Sequence, residues 1–255
     1  MATSIKFNEY SLTTGNIRVR RIGHEQANLN LTLEELARRE KGKLVAELFA
    51  NKEIAIEGLI LGDDQPTLED NIDNFKKHIA GVGECNLDIE YGGDTRRYFA
   101  VMESVVVSRD FFHKNFAPYQ MVFKLSDPAG YEPAIRCHTH AGITSSPYSF
   151  HFTAIGSMFP EPVFTLTINE AYGLERFRIK NISTGDQINV SDDSPYTAGE
   201  VYIVSNADYF VSENGTELDY DGVFPKAGLD DKWELSWSAT RVDADLQICY
   251  RARYS

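Results

Sequence analysis

Apolar residues recur at every second position in one segment after another, and at helical spacing in only one. Leu29, Leu31 and Leu33 alternate with polar neighbours, as do Ile54 and Ile56, Leu87 and Ile89, and Tyr119, Met121, Phe123 and Leu125. Further on, Phe164, Leu166 and Ile168 alternate with threonines, and Phe177 and Ile179 with Arg176, Arg178 and Lys180. A period of two buries one face of a strand and wets the other. A chain patterned in this way folds as antiparallel sheets, not as a helical bundle.

The single helical stretch follows the turn Gly62-Asp63-Asp64. Leu68, Ile72, Phe75 and Ile79 share one helical face. Thr67 is the expected N-cap, with Glu69 and Asp70 in the first turn, where the macrodipole favours acids. Lys76, Lys77 and His78 fall in the last turn, and Gly81 and Gly83 stop the helix. After it, Leu87–Tyr91 and a long strand over about 97–109 flank the turn Gly92-Gly93-Asp94.

These elements predict a mainly β chain with one helix. Residues 1–130 form an α+β domain of antiparallel strands and one helix. Residues 131–147, which hold Pro133, Gly142, Ser145, Ser146 and Pro147 with little periodicity, are expected to be a linker. Residues 148–255 show no helix but a series of alternating strands. Ser183-Thr184-Gly185-Asp186 and the hairpin marker Asn214-Gly215 lie between them, a pattern that predicts an antiparallel β-sandwich.

Charge narrows the function. The 255 residues carry 25 basic and 38 acidic side chains, a net charge of −13. Nucleic-acid binders need a basic footprint to release counterions, and anionic membranes attract basic surfaces, so both classes are disfavoured. The basic groups Arg18-Val19-Arg20-Arg21 and Arg96-Arg97 are too small for a nucleic-acid groove and fit a solvated edge or a subunit contact. No apolar run approaches the ~20 residues of a membrane span. The N-terminus has no positive start followed by an apolar core, so a soluble protein made in the cytoplasm is expected. The three cysteines, Cys85, Cys137 and Cys249, are odd in number, far apart and without CxxC spacing, and are expected to be free thiols.

Candidate chemistry is sparse. Cys137, His138 and His140 are the densest set of potential metal ligands, with His151 nearby. In an extended segment the two histidines face one side and the cysteine the other, so the three do not converge. Asp219-Tyr220-Asp221-Gly222 resembles the opening of a calcium loop, but the downstream glutamate of an EF-hand is missing. There is no GxSxG, Walker loop, GxGxxG or HExxH, and Ser145 and Ser146 near His151 have no oxyanion hole or orienting acid. No catalytic residue, metal or cofactor is assigned. Trp233, Leu235 and Trp237 share one strand face, which the intervening leucine marks as buried. The competing expectation is a sugar-stacking platform made of Trp233, Trp237 and Tyr220.

The order of these pieces resembles the distal tail proteins of long-tailed, siphovirus-type bacteriophages. In the first half the resemblance rests on Ile5-Lys6-Phe7-Asn8 and on Ile54-Ala55-Ile56-Glu57-Gly58-Leu59-Ile60-Leu61-Gly62 before the helix. Arg97-Tyr98-Phe99-Ala100-Val101 and Phe123-Lys124-Leu125-Ser126-Asp127-Pro128 follow the helix. The second half contributes Asn181-Ile182-Ser183-Thr184-Gly185, Tyr209-Phe210-Val211-Ser212-Glu213-Asn214-Gly215 and Gly222-Val223-Phe224-Pro225. The closing match is Ile248-Cys249-Tyr250-Arg251-Ala252-Arg253-Tyr254. The chain departs from that pattern at Leu229-Asp230-Asp231-Lys232 and at Asn206-Ala207-Asp208-Tyr209.

The resemblance implies a virion protein without catalysis. Six copies would form a homo-oligomeric ring through the N-terminal domain, with a galectin-like or carbohydrate-module-like sandwich outside it. The implied partners are the tail tube protein, the tail-tip hub protein, the tape-measure protein and receptor-binding proteins, and the genome would pass through the bore. The alternative expectation is a carbohydrate-binding module acting in host-surface receptor recognition.

Overall fold

The computed structural model describes residues 2–24, 29–35, 42–49, 52–109, 114–172, 176–191, 196–239 and 241–254. The chain divides into two compact units, Met1–Pro133 and Ala134–Tyr254. In the first, the elements are β1 (Ala2–Phe7), β2 (Tyr10–Ser11), β3 (Ile17–His24), β4 (Leu29–Glu35), β5 (Gly42–Phe49) and β6 (Glu53–Leu61). They continue with α1 (Gln65–Ile79), β7 (Cys85–Tyr91), β8 (Asp94–Val107), β9 (Phe116–Leu125) and β10 (Gly130–Tyr131).

The main sheet of this unit runs β2-β1-β7-β8-β9-β6-β3, all antiparallel. It is apolar on its inner face: Ile54, Ile56 and Ile60 of β6, Leu87 and Ile89 of β7, and Met121 and Phe123 of β9 are buried. The inner faces of strands three places apart touch, with the rings of Phe7 on β1 and Phe123 on β9 4.9 Å apart. The sheet is therefore curled around its own core. The edge strand β3 reaches β7, four places away in the sheet, where His24 hydrogen-bonds the Tyr91 hydroxyl. Tyr98 of β8 lies beside them, with the Lys52 ammonium 5.8 Å above its ring. Gly58 sits at an inward position of β6, where a Cβ would come within 2.6 Å of the Tyr119 ring, so only glycine fits.

Helix α1 covers this core. Leu68, Ile72, Phe75 and Ile79 are all buried, as their spacing predicts, and Phe75 meets the Tyr119 ring at 4.9 Å. The helix begins earlier than expected. Asp64, not Thr67, is the N-cap, its carboxylate accepting the Thr67 amide at 2.9 Å, and Pro66 lies in the first turn. Glu69 and Asp70 consequently fall outside that turn. The two-residue turn Gly92-Gly93 joins β7 to β8 with φ of 63° and 104°. β4 and β5 pair with each other as a separate two-stranded sheet. The burial expected of Leu29, Leu31 and Leu33 lies outside the described residues.

The second unit contains β11 (Arg136–Ile143), β12 (Tyr148–Thr153), β13 (Val163–Tyr172), β14 (Arg176–Asn181), β15 (Gln187–Ser191) and β16 (Val201–Ser205). These are followed by β17 (Phe210–Glu213), β18 (Thr216–Glu217), β19 (Tyr220–Gly222), β20 (Asp230–Trp237), β21 (Arg241–Tyr250) and β22 (Arg253–Tyr254). Two sheets, β11-β21-β13-β16-β17-β18 and β12-β20-β14-β15-β19, share one core. Phe164 of one sheet and Trp233 of the other meet across it at 5.0 Å. Asn214 and Gly215, at φ 47° and 85°, form the expected hairpin between β17 and β18.

Residues 131–147 are not a linker as expected. They contain β11, an edge strand paired along β21 from Arg136↔Tyr250 to Ile143↔Ala244. Of its eight residues only Ile143 is buried, and a strand with both faces wet shows no apolar period in its sequence.

Phe75→Ala is expected to cost about 3–5 kcal/mol of stability, because it empties the centre of the helix contact. Lys76→Ala, on the exposed face, should stay within about 0.5 kcal/mol. Urea unfolding of the two variants checks this; equal effects would mean the helix face is assigned wrongly.

Candidate functional site

The residues expected to form a sugar platform do not come together. Trp233 is wholly buried between the sheets, so it offers no face to a ligand, and the period that put Trp233 and Leu235 in the core is correct. Its indole Nε1 has no hydrogen-bond partner among the described residues. Trp237 lies opposite Phe177 at the end of β20 and is half-buried against the core margin. Tyr220 is elsewhere, on the edge strand β19, 42% exposed.

Tyr220 belongs to a different aromatic group, one that the sequence did not single out as a cluster. Its ring stands edge-on to Phe224 at 4.9 Å, and Tyr209 stands edge-on to the same ring at 5.6 Å. Tyr209 is 66% exposed and holds φ at +55°, a conformation that costs a bulky residue energy. A pinned turn maintains it. The Ser205 hydroxyl donates to Asp208 at 2.9 Å and accepts the Asp208 amide, while the buried Asn206 donates to the Pro225 carbonyl at 2.6 Å. Two exposed phenols thus flank a mostly covered phenylalanine at the sandwich surface, beside the exposed Val223.

A buried polar node ties the neighbouring loops. The Asn181 amide nitrogen donates to Asp231 at 2.7 Å and to the Lys226 carbonyl at 2.6 Å. Its oxygen accepts the amides of Ser183 and Thr184, and Asp231 also accepts the Gly228 amide. The motif Asn181–Gly185 is therefore structural: it satisfies backbone donors that the turn would otherwise bury unpaired.

The histidines serve as aromatic packing. His138 stacks on Tyr250 at 6.0 Å and meets Phe152 edge-on, while His140 packs against Phe150 and its Nδ1 lies 3.2 Å from the Tyr148 hydroxyl. Burial, with His138 adding to it, pushes the His140 imidazole below its ordinary value and toward the neutral form. Cys137 faces the opposite way, and His151 projects from β12 into solvent. Among the described residues no three His, Cys, Asp or Glu side chains are placed to hold a metal ion.

Cys137 and Cys249 are not the free thiols expected; they form a disulfide across β11 and β21, with Cα atoms 4.1 Å apart. Counting cysteines could not find it, because the bond depends on the register of two strands whose cysteines are 112 residues apart. Cys85 is the free thiol.

Asp219-Tyr220-Asp221-Gly222 is extended, with residues 220–222 paired to β15 rather than coiled as a calcium loop. Arg97 forms a two-pronged bond to Asp88 across β7 and β8, both contacts at 2.8 Å, and Arg96 lies 4.0 Å from Asp94. Arg18, Arg20 and Arg21 line the edge strand β3 and are exposed there. No helix among the described residues is long and apolar enough to cross a membrane.

No protein-family model and no curated protein sequence matches the chain. Solved structures do. The SPP1 Dit protein, described as a paradigm of the hub adsorption apparatus in phages infecting Gram-positive hosts, superposes over 99% of both chains with a TM-score of 0.69 at 13% identity. Chains of the phage p2 baseplate in its activated conformation match less closely. With Sr, 97% of each chain is covered at 7% identity and a TM-score of 0.43. With Ca, 94% of this chain and 92% of the other are covered at 8% identity and 0.41. The chain has the mainly β, single-helix fold of the SPP1 Dit protein.

Trp233→Ala is expected to lower the stability of the second unit by about 3–5 kcal/mol, since it empties the space between the sheets. Tyr220→Ala should cost no more than about 1 kcal/mol. Thermal unfolding followed by tryptophan and tyrosine fluorescence separates the two; a Trp233→Ala variant of unchanged stability would contradict its placement.

Proposed function

We propose that the protein is a structural component of a phage tail tip. Six copies form a ring through residues 1–133, and the ring joins the tail tube to the tip hub or baseplate and lets the genome pass. It works without catalysis, by shape and contact alone. The observation that carries this is the likeness to the SPP1 Dit protein over 99% of both chains, a match of both units in order.

Physical features of the chain suit the role. The long edge strand β3 and the exposed Val101 and Val106 on β8 are surfaces that a neighbouring copy can cover. Closed cyclic symmetry removes open edges that would otherwise recruit unwanted strands. Residues 1–133 carry 16 basic and 21 acidic side chains, a net negative balance that gives DNA phosphates no basic surface to hold, so a genome slides through the bore without sticking. The tail tube protein, the hub protein, the tape-measure protein and receptor-binding proteins are the partners that such a ring would contact.

A second function is favoured by one feature, the exposed pair Tyr209 and Tyr220 around Phe224. Exposed phenol rings stack on sugars, and several copies in a ring would multiply a weak affinity. In that case the second unit recognises a host-surface carbohydrate while the first still builds the ring.

Residues 1–133 produced alone should assemble into rings, and residues 134–255 alone should remain monomeric, as read by light scattering. Oligomers formed by the second piece and a monomeric first piece would overturn the assignment.

A further inference from the structure

The disulfide joins the two ends of the second unit. Cys137 lies three positions after its first residue, Ala134, and Cys249 five before its last, Tyr254. The closed loop, with its ends 112 residues apart in sequence, contains nearly the whole sandwich. It also fastens the edge strand β11. β11 has one sheet neighbour, β21, and only Ile143 among its residues is buried. Outside the backbone ladder, it is attached by the ring contacts of His138 and His140 with Tyr250, Phe152, Tyr148 and Phe150 and by the Gly142 amide, which donates to the Asp245 carboxylate at 2.7 Å.

Access completes the geometry. Cys137 is exposed on the outward face of this edge strand, and Cys249 is half-buried beside it. A small thiolate can therefore reach the Cys137 sulfur without unfolding the core. We propose that the Cys137–Cys249 bond is a redox-operated lock on the second unit, open as a dithiol and closed as a disulfide. The chemistry is thiol–disulfide exchange with a low-molecular-weight thiol such as glutathione. In opening, a glutathione thiolate attacks Cys137, the Cys249 thiolate leaves and takes a proton, and a second glutathione displaces the first. Two glutathiones are oxidised to their disulfide as one protein disulfide becomes two thiols. Closing is the reverse, with oxidised glutathione as the acceptor of two electrons.

The lock acts on an edge strand. Open, β11 keeps its ladder, its imidazole contacts and the Gly142–Asp245 bond but loses its covalent anchor and detaches locally, while the facing sheets keep their core. Closed, neither end of the unit can peel away. The inference does not rest on the tail-tip function, since it follows from the register, the exposure and the place of the bond in the unit.

The test uses the full chain in glutathione buffers of stepped oxidised-to-reduced ratio. Alkylation and mass spectrometry read the bond, and hydrogen exchange reads residues 136–143. In excess reduced glutathione, without denaturant, the bond should open and exchange protection of 136–143 should fall at least tenfold. The rest of the second unit should stay protected, and its melting temperature should drop by about 10 °C. Oxidised glutathione should restore both. Cys137→Ser and the double variant Cys137→Ala/Cys249→Ala should match the reduced protein in every buffer. A bond that resists glutathione in the folded chain would overturn the proposal, as would unchanged exchange on opening. Global unfolding of the second unit on reduction, or failure of both variants to fold, would also overturn it, because the bond would then be a fixed staple.

Discussion

Each of the three larger sheets has one apolar face, and each must find cover for it. The two units solve that problem differently. In the first, the sheet curls until Phe7 meets Phe123 and His24 meets Tyr91, and α1 caps the opening with Leu68, Ile72, Phe75 and Ile79. In the second, two sheets face one another and Trp233 spans the gap to Phe164. Burial of these aromatic and branched side chains supplies most of the driving force in both. Gly58 fits the same constraint, because the curl presses Tyr119 against the β6 backbone.

The elements that obey a strict period were legible in the sequence. All four residues of the helix face are buried, and the strands through Ile54, Leu87, Tyr119, Phe164 and Phe177 stand where alternation puts them. Alternation works only where one face is dry. It therefore missed β11, whose two faces are both wet. The helix start was misjudged by three residues because Thr67 is a plausible cap, although Pro66 in the first turn was a readable sign that the cap lay at Asp64.

Features that depend on pairing distant segments were not legible. Cys137 and Cys249 meet because β11 and β21 pair in one register, and no local pattern encodes that register. The cluster of Tyr209, Tyr220 and Phe224 arises in the same way, from the turn before β17 and from β19 with the segment that follows it. Trp233 and Trp237 share a strand face as predicted, yet only the first is wholly buried, because cover from the facing sheet runs out near the end of β20. The Asn181–Asp231 node shows what some of the quoted motifs do. They hold loops in place through satisfied buried groups, and so report the fold more than a ligand.

The surfaces left over are an open edge strand, exposed valines on β8, and an acidic balance unsuited to holding DNA. They suit the proposed ring subunit, and the fold itself is that of the SPP1 Dit protein. Electron microscopy of the purified full chain tests this most directly. Class averages should show closed rings with six-fold symmetry and a central opening. A monodisperse population of monomers, or of dimers without an opening, would contradict the account.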